Sequence, residues 1–236
     1  MNIKWINDPT RRFPKRPLYD IEEIEGECQS LVSSYFRKRG LEIKYPLATS
    51  VLSKILEQHT DRCDFGHDLS RYGDDVEALT QFTRSGKPKV FISSLLRDER
   101  YSNRRRMTMA HELGHVHFHA VLFQRTDSTL DLFPDTEQLG PTYCKRSTIA
   151  RGGDWMEWQA SYAGGAILMP ADILAKQVNE IVAHHRWRLP LVHDFAGTHE
   201  LVRIVADKFA VSPEAASVRL LQTGVIAPRQ AQPLTF

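Results

Sequence analysis

Residues 109–120 read MAHELGHVHFHA, which places four histidines and a glutamate within twelve positions. No proline falls between Asn103 and His119, and the one glycine there is Gly114, so the segment is expected to be helical. On a helix, residues four apart share a face and lie about 6 Å apart along the axis. His111 and His115 have that spacing, so their imidazoles can converge on one cation. Glu112 projects beside such a metal rather than into the same ligand direction, where it can take a proton from metal-bound water. Zinc would supply the other half by lowering the pKa of that water towards about 7. A Lewis acid, a nucleophile and a base thus lie within five residues.

The same run constrains the packing around it. A glycine inside a helix costs about 1 kcal/mol relative to alanine. The expected compensation at Gly114 is close approach of another helix. A catalytic zinc normally takes three protein ligands and one water. His119 shares the face of His111 and His115 but stands about 12 Å along the axis from His111, out of reach of the same ion on a straight helix. His117 points elsewhere. Both read as hydrogen-bonding neighbours or surface histidines. The longer pattern HExxHxxGxxH needs glycine at 118 and histidine at 121; Phe118 and Val121 exclude it.

A carboxylate from a following helix is the better third ligand. In EWQASYAGGAILMP, residues 157–170, Glu157, Ala160, Gly164, Ile167 and Leu168 share one helical face. Ala160 and Gly164 are small enough to let this helix lie close to the histidine helix, over Gly114, with Glu157 projecting at the metal. Asp154, Asp131 and Cys144 compete for the role. Asp154 is more simply a helix N-cap, and Cys144 a structural thiol.

The rest of the chain supplies a frame. Its 236 residues allow one or two domains and a sizeable core. A formal charge of +2 gives no argument for nucleic acid or membrane binding. No apolar run approaches a membrane span, no signal peptide is apparent, and three widely spaced cysteines suggest reduced thiols; a cytoplasmic setting is expected. Residues 6–17, with three prolines and four basic residues, read as a mobile or surface-hugging arm. Residues 20–38 carry a helical pattern, LEIKYPL (41–47) suggests a short strand, and SVLSKILEQH (50–59 after the cap) a helix capped by Ser50. VEALTQFT and KVFIS suggest strands paired around a turn at Ser85, Gly86 and Pro88, and hence a small antiparallel sheet. Residues 125–153 form a long polar loop of the kind that is usually functional or disordered. Helices are expected over 155–169, 171–185, 198–209 and 213–222.

RRRMTMAHELGHVHFH followed by EWQASYAGGAILMP resembles the ImmA/IrrE family of metallopeptidases. The metal motif corresponds to His111, Glu112 and His115. The downstream segment corresponds to Glu157, Ala160, Ala163, Leu168, Met169 and Pro170. The resemblance spans roughly residues 20–225 and implies Glu157 as the third zinc ligand, separately from the helix-face argument. It implies an α+β fold, a mostly helical zincin-like (thermolysin-like) core with a small sheet and a cleft. It also implies proteolysis of helix-turn-helix transcriptional repressors, switching on stress-response or mobile-element genes. Family members often place an aromatic residue before the threonine that precedes the motif; here Met107 takes its place and Thr108 is kept.

On these readings residues 1–19 form an arm, 20–197 the zinc peptidase domain, 198–226 a helix-turn-helix-like pair packed on it, and 227–236 a tail. An extended peptide would lie along KVFIS at a sheet edge. Tyr162, His119 or His199 would serve as oxyanion donor or outer hydrogen-bonding partner. Zinc is the expected cofactor, and the ligand types also suit manganese or iron. Two rival functions remain. The first is a DNA-binding regulator using Ala206, Ala210, Val211 and the helix begun by Ser212 and Pro213. That helix carries Arg219 as its only cation, and phosphate contacts usually need several. The second is a peptide-binding protein that does not cut, which the intact Glu112 argues against.

Overall fold

A computed structural model describes residues 3–83, 87–123, 142–145 and 154–228. It is an α+β protein, mostly helical, with a small sheet. The first helix, α1 (Ile21–Arg37), begins with a reciprocal cap: Asp20 accepts from the Glu23 amide while the Glu23 carboxylate accepts from the Asp20 amide. It buries Ile24, Cys28, Leu31, Val32, Tyr35 and Phe36 on one face. The second helix, α2 (Thr49–His59), starts at Ala48, so Ser50 lies in its first turn and is not the cap. LEIKYPL forms no strand. Leu41 and Ile43 are exposed, and with no strand among the described residues paired to this segment, the apolar spacing alone does not make a strand.

The expected arm is folded. Strands β1 (Lys4–Asn7) and β2 (Lys15–Leu18) pair as an antiparallel hairpin. Buried Asp8 organises its tip by accepting from the amides of Thr10 and Phe13. Phe13 sets its ring edge-on to Phe123 and Trp155, and Arg12 pairs with Asp154 at 3.1 Å.

The main sheet has the order β3-β5-β4-β6, from β3 (Arg62–His67), β4 (Val76–Gln81), β5 (Lys89–Ser93) and β6 (Thr142–Lys145). The β4–β5 pairing is antiparallel as expected, but β3 runs parallel to β5, so the sheet is mixed. KVFIS is β5 and lies between β3 and β4, which corrects the expectation of an edge strand. Among the described residues the outer strands are β3 and β6. The long polar stretch contains β6, which pairs antiparallel with β4. Asp131 and the turn residues Ser85 and Gly86 lie outside the described residues.

Helix α3 (Ser102–His119) packs against this sheet and against α4 (Trp155–Leu168). Its basic start is tied to the fold. Arg104 pairs with Glu77, Arg105 with Glu99, and buried Arg106 donates to the carbonyls of Leu47 and Phe209. Helix α5 (Ala171–His185) follows Pro170 and turns Leu174, Val178 and Ile181 inward. Helices α6 (Ala196–Phe209) and α7 (Pro213–Gln222) pack on each other, joined through Ala210 in the left-handed region, with Ser212 capping α7. Arg219 of α7 is 1 % exposed and is held by Glu25 and the Met169 carbonyl. No helix among the described residues is long and apolar enough to cross a membrane.

Candidate metal centre

Two glycines decide how closely α3 and α4 approach. A Cβ at Gly114 would stand 3.0 Å from both the Cα and the carbonyl oxygen of Ala160. A Cβ at Gly164 would stand 3.2 Å from the His111 amide nitrogen and 3.0 Å from Met107 Cε. Backbone meets backbone at this crossing, and no side chain larger than hydrogen fits at Gly114 without moving a helix. Met107, standing where an aromatic residue was expected, fills the space over Gly164. Thr108 donates to Glu77, at the foot of the sheet.

The close crossing brings three ligand types together. His111 Nε2 and His115 Nε2 are 3.0 Å apart, Glu157 Oε2 is 3.3 Å from the first and Glu157 Oε1 is 3.1 Å from the second. All three residues are buried, and they are the one group of metal-ligating side chains of this kind among the described residues. Burial works to raise the Glu157 carboxyl, but the two imidazoles beside it work the other way and win. It is therefore held below the ordinary carboxylate range, ionised and ready to meet a cation.

Glu112 lies fully buried beside this cluster. Its Oε2 accepts from the Thr80 hydroxyl of β4, while its Oε1 has no hydrogen-bond partner among the described residues. Burial pushes its carboxyl up, against the opposing influence of His115, His111 and the Thr80 hydrogen bond. A carboxylate so raised is suited to take and return a proton. The donor set fits a divalent metal on two grounds. Two imidazole nitrogens and a carboxylate crowd into contact inside a buried site, which favours a cation among them. The open Oε1 of Glu112 adds an acceptor with nothing else to hold.

The remaining expected residues fall in different places. His119 is buried behind His115, Nδ1 to Nδ1 at 3.0 Å, and its Nε2 reaches Gln159 Oε1 at 3.0 Å. Burial carries its pKa well below the ordinary histidine value. His117 points to Glu27 on α1. Tyr162 does not face the cluster: its hydroxyl donates to Glu25 at 2.8 Å. His199 is exposed on α6 beside His193. Neither Tyr162 nor His199 is brought to the cluster, because each sits on a helix face turned towards other partners. Asp154 caps α4 through the Met156 amide, the simpler of its two expected roles. For Cys144 only the backbone is described, opposite Ala78.

Three residues at the site were not singled out from the sequence: Thr80, Gln159 and Ser161, whose Oγ lies 3.3 Å from His111 Nδ1. Ser161 carried a signal, being one helical turn from Glu157 on the same face. Thr80 carried a weaker one, a hydroxyl two residues on from inward Ala78. Gln159 carried none, since its partner is recognisable only once His119 is seen to be buried.

Fold and site together define an α+β protein built around a buried His-His-Glu cluster with a second glutamate alongside. Residues 69–221 match the peptidase family model described as the IrrE N-terminal-like domain, and the chain belongs to that family. A comparison with curated proteins gave no match.

Proposed function

We propose that the protein is a zinc-dependent endopeptidase in which His111, His115 and Glu157 hold the metal and Glu112 is the general base. The observation that carries this reading is the meeting of His111 Nε2, His115 Nε2 and Glu157 beside the raised, half-satisfied carboxyl of Glu112. When bound, the metal supplies Lewis acidity to the scissile carbonyl and makes water acidic enough to lose a proton near neutral pH. Glu112 receives that proton on the oxygen left open by Thr80 and delivers it to the leaving amine. Thr80 fixes the carboxylate's orientation while leaving one oxygen to work. With His111 Nε2 on a metal its Nδ1 would carry hydrogen, and Ser161 Oγ, 3.3 Å away, would accept it and hold the ring in that orientation.

The helix pair α3–α4 against a small sheet is, on this reading, a zincin-like core. With β5 internal, the better place for an extended substrate is the outer side of β6. That strand adjoins β4, which carries Thr80 opposite Thr142 in register, whereas β3 lies two strands from β4. Main-chain pairing there would give affinity with little sequence demand. The proposed substrate is a helix-turn-helix transcriptional repressor, whose cleavage switches on stress-response or mobile-element genes. The pair α6–α7 is helix-turn-helix-like in its turn, but the burial of Arg219 takes the only cation of α7 away from solvent, which supports a packing role over DNA binding.

The test is co-incubation of the protein with the helix-turn-helix repressor encoded nearest to it, with zinc and with a chelator. Fragments that appear with zinc and vanish with chelator are expected. An intact repressor under both conditions contradicts the substrate assignment. Failure of the zinc-loaded protein to cut any denatured polypeptide contradicts the peptidase reading itself.

A further inference from the structure

His119 and Gln159 form a chain that ends on a proposed metal ligand. The Nδ1 atoms of His115 and His119 face each other at 3.0 Å, so one must carry hydrogen and the other a lone pair. The far nitrogen of His119, Nε2, meets Gln159 Oε1 at 3.0 Å, and an amide oxygen only accepts. Hydrogen therefore sits on His119 Nε2. A neutral imidazole carries one N–H, and His119 is wholly buried, with His115, Gln159 and the edge-on ring of Trp155 around it. Its Nδ1 is then an acceptor, and His115 Nδ1 must be the donor. His115 Nε2 is then the nitrogen turned to His111 and Glu157, open to a metal there and, without one, able to donate to the Glu157 carboxylate.

We propose that Gln159 and His119 are positioning residues whose hydrogen-bond relay fixes His115 in the Nδ1–H form and holds its Nε2 for the metal. The inference rests on His115 being a metal ligand, but its hydrogen-bond order belongs to the chain itself. The relay also crosses the seam, since His119 is on α3 and Gln159 on α4. The helix that brings Glu157 to the site thus also sets which nitrogen of His115 is available. Partners of this kind typically account for about 10- to 100-fold in metal affinity.

The experiment uses the full chain labelled with nitrogen-15 at histidine, at about pH 8, above the ordinary histidine range. Long-range proton–nitrogen spectra distinguish the two ring forms. In the metal-free and the zinc-loaded wild type alike, hydrogen is expected on His115 Nδ1 and on His119 Nε2, with His119 Nδ1 bare. Gln159→Leu removes the terminal acceptor; a mixture of His115 forms and a zinc affinity lower by about 10- to 100-fold are expected. His119→Asn keeps an acceptor oxygen where Nδ1 stands and should retain more zinc affinity than His119→Leu. A wild type with no hydrogen on His115 Nδ1, or a Gln159→Leu chain with unchanged ring forms and affinity, overturns the relay. A wild type that shows the expected ring forms but binds no zinc supports the relay and contradicts the metal reading, so the two failures are separable.

Discussion

Gly26 apart, helix α1 obeys the ordinary rules of helix formation, and the α3–α4 seam breaks them. The first has a reciprocal cap, acids in its first turn and one buried apolar face. Helix α3 begins at Tyr101 with no side-chain cap and no acid in its first turn, and carries glycine in its middle. Helix α4 is buried on nearly every side yet holds Glu157, Gln159 and Ser161. Each departure on the seam has a counterpart that uses it. Gly114 admits Ala160, Glu157 meets two histidines, and Gln159 meets His119. Local rules are broken where chemistry is assembled, and kept where the helix has only to pack.

The largest expected effect bears on the seam's chemistry. Glu112→Gln should lower peptide cleavage by about 10²- to 10⁴-fold, with zinc still bound at one per chain. Cleavage at the wild-type rate would break the assignment of the base. Glu157→Ala should weaken zinc by more than the roughly 10- to 100-fold typical of outer partners, as read by competition with a chromogenic chelator. The comparison is sharpest at two glycines. Gly114→Ala should destabilise the fold by about 1–3 kcal/mol, because the new methyl meets Ala160 backbone. Gly26→Ala, on α1 with nothing within 4 Å of the added atom, should stabilise it by about 0.5–1 kcal/mol. Denaturant melts of both variants check the opposite signs. The smallest effect concerns α7, whose single cation is buried: no salt-dependent mobility shift with duplex DNA is expected.

The seam was legible because it rests on local signals. The spacing of His111 and His115 put both on one face, and the small residues at 114, 160 and 164 gave the crossing, at which a Cβ on Gly114 would stand 3.0 Å from Ala160. Helices α1 and α5 follow their apolar period closely. What stayed hidden depends on distant chain. RCDFGH of β3 alternates over only four residues before Gly66, and its strand form comes from pairing with β5. LEIKYPL has the better pattern but no strand partner among the described residues. A one-sided reading also assigned KVFIS to an edge, because periodicity does not tell how many strands flank another. Thr80 and Gln159 became visible only when the sheet and α4 were set against α3.

The central claim is that two histidines of α3 and one glutamate of α4 hold a metal. Zinc K-edge X-ray absorption on the zinc-loaded full chain tests it most directly. The account predicts a shell of nitrogen and oxygen with two imidazoles and no sulfur. A sulfur scatterer at about 2.3 Å, or a single imidazole, would contradict it.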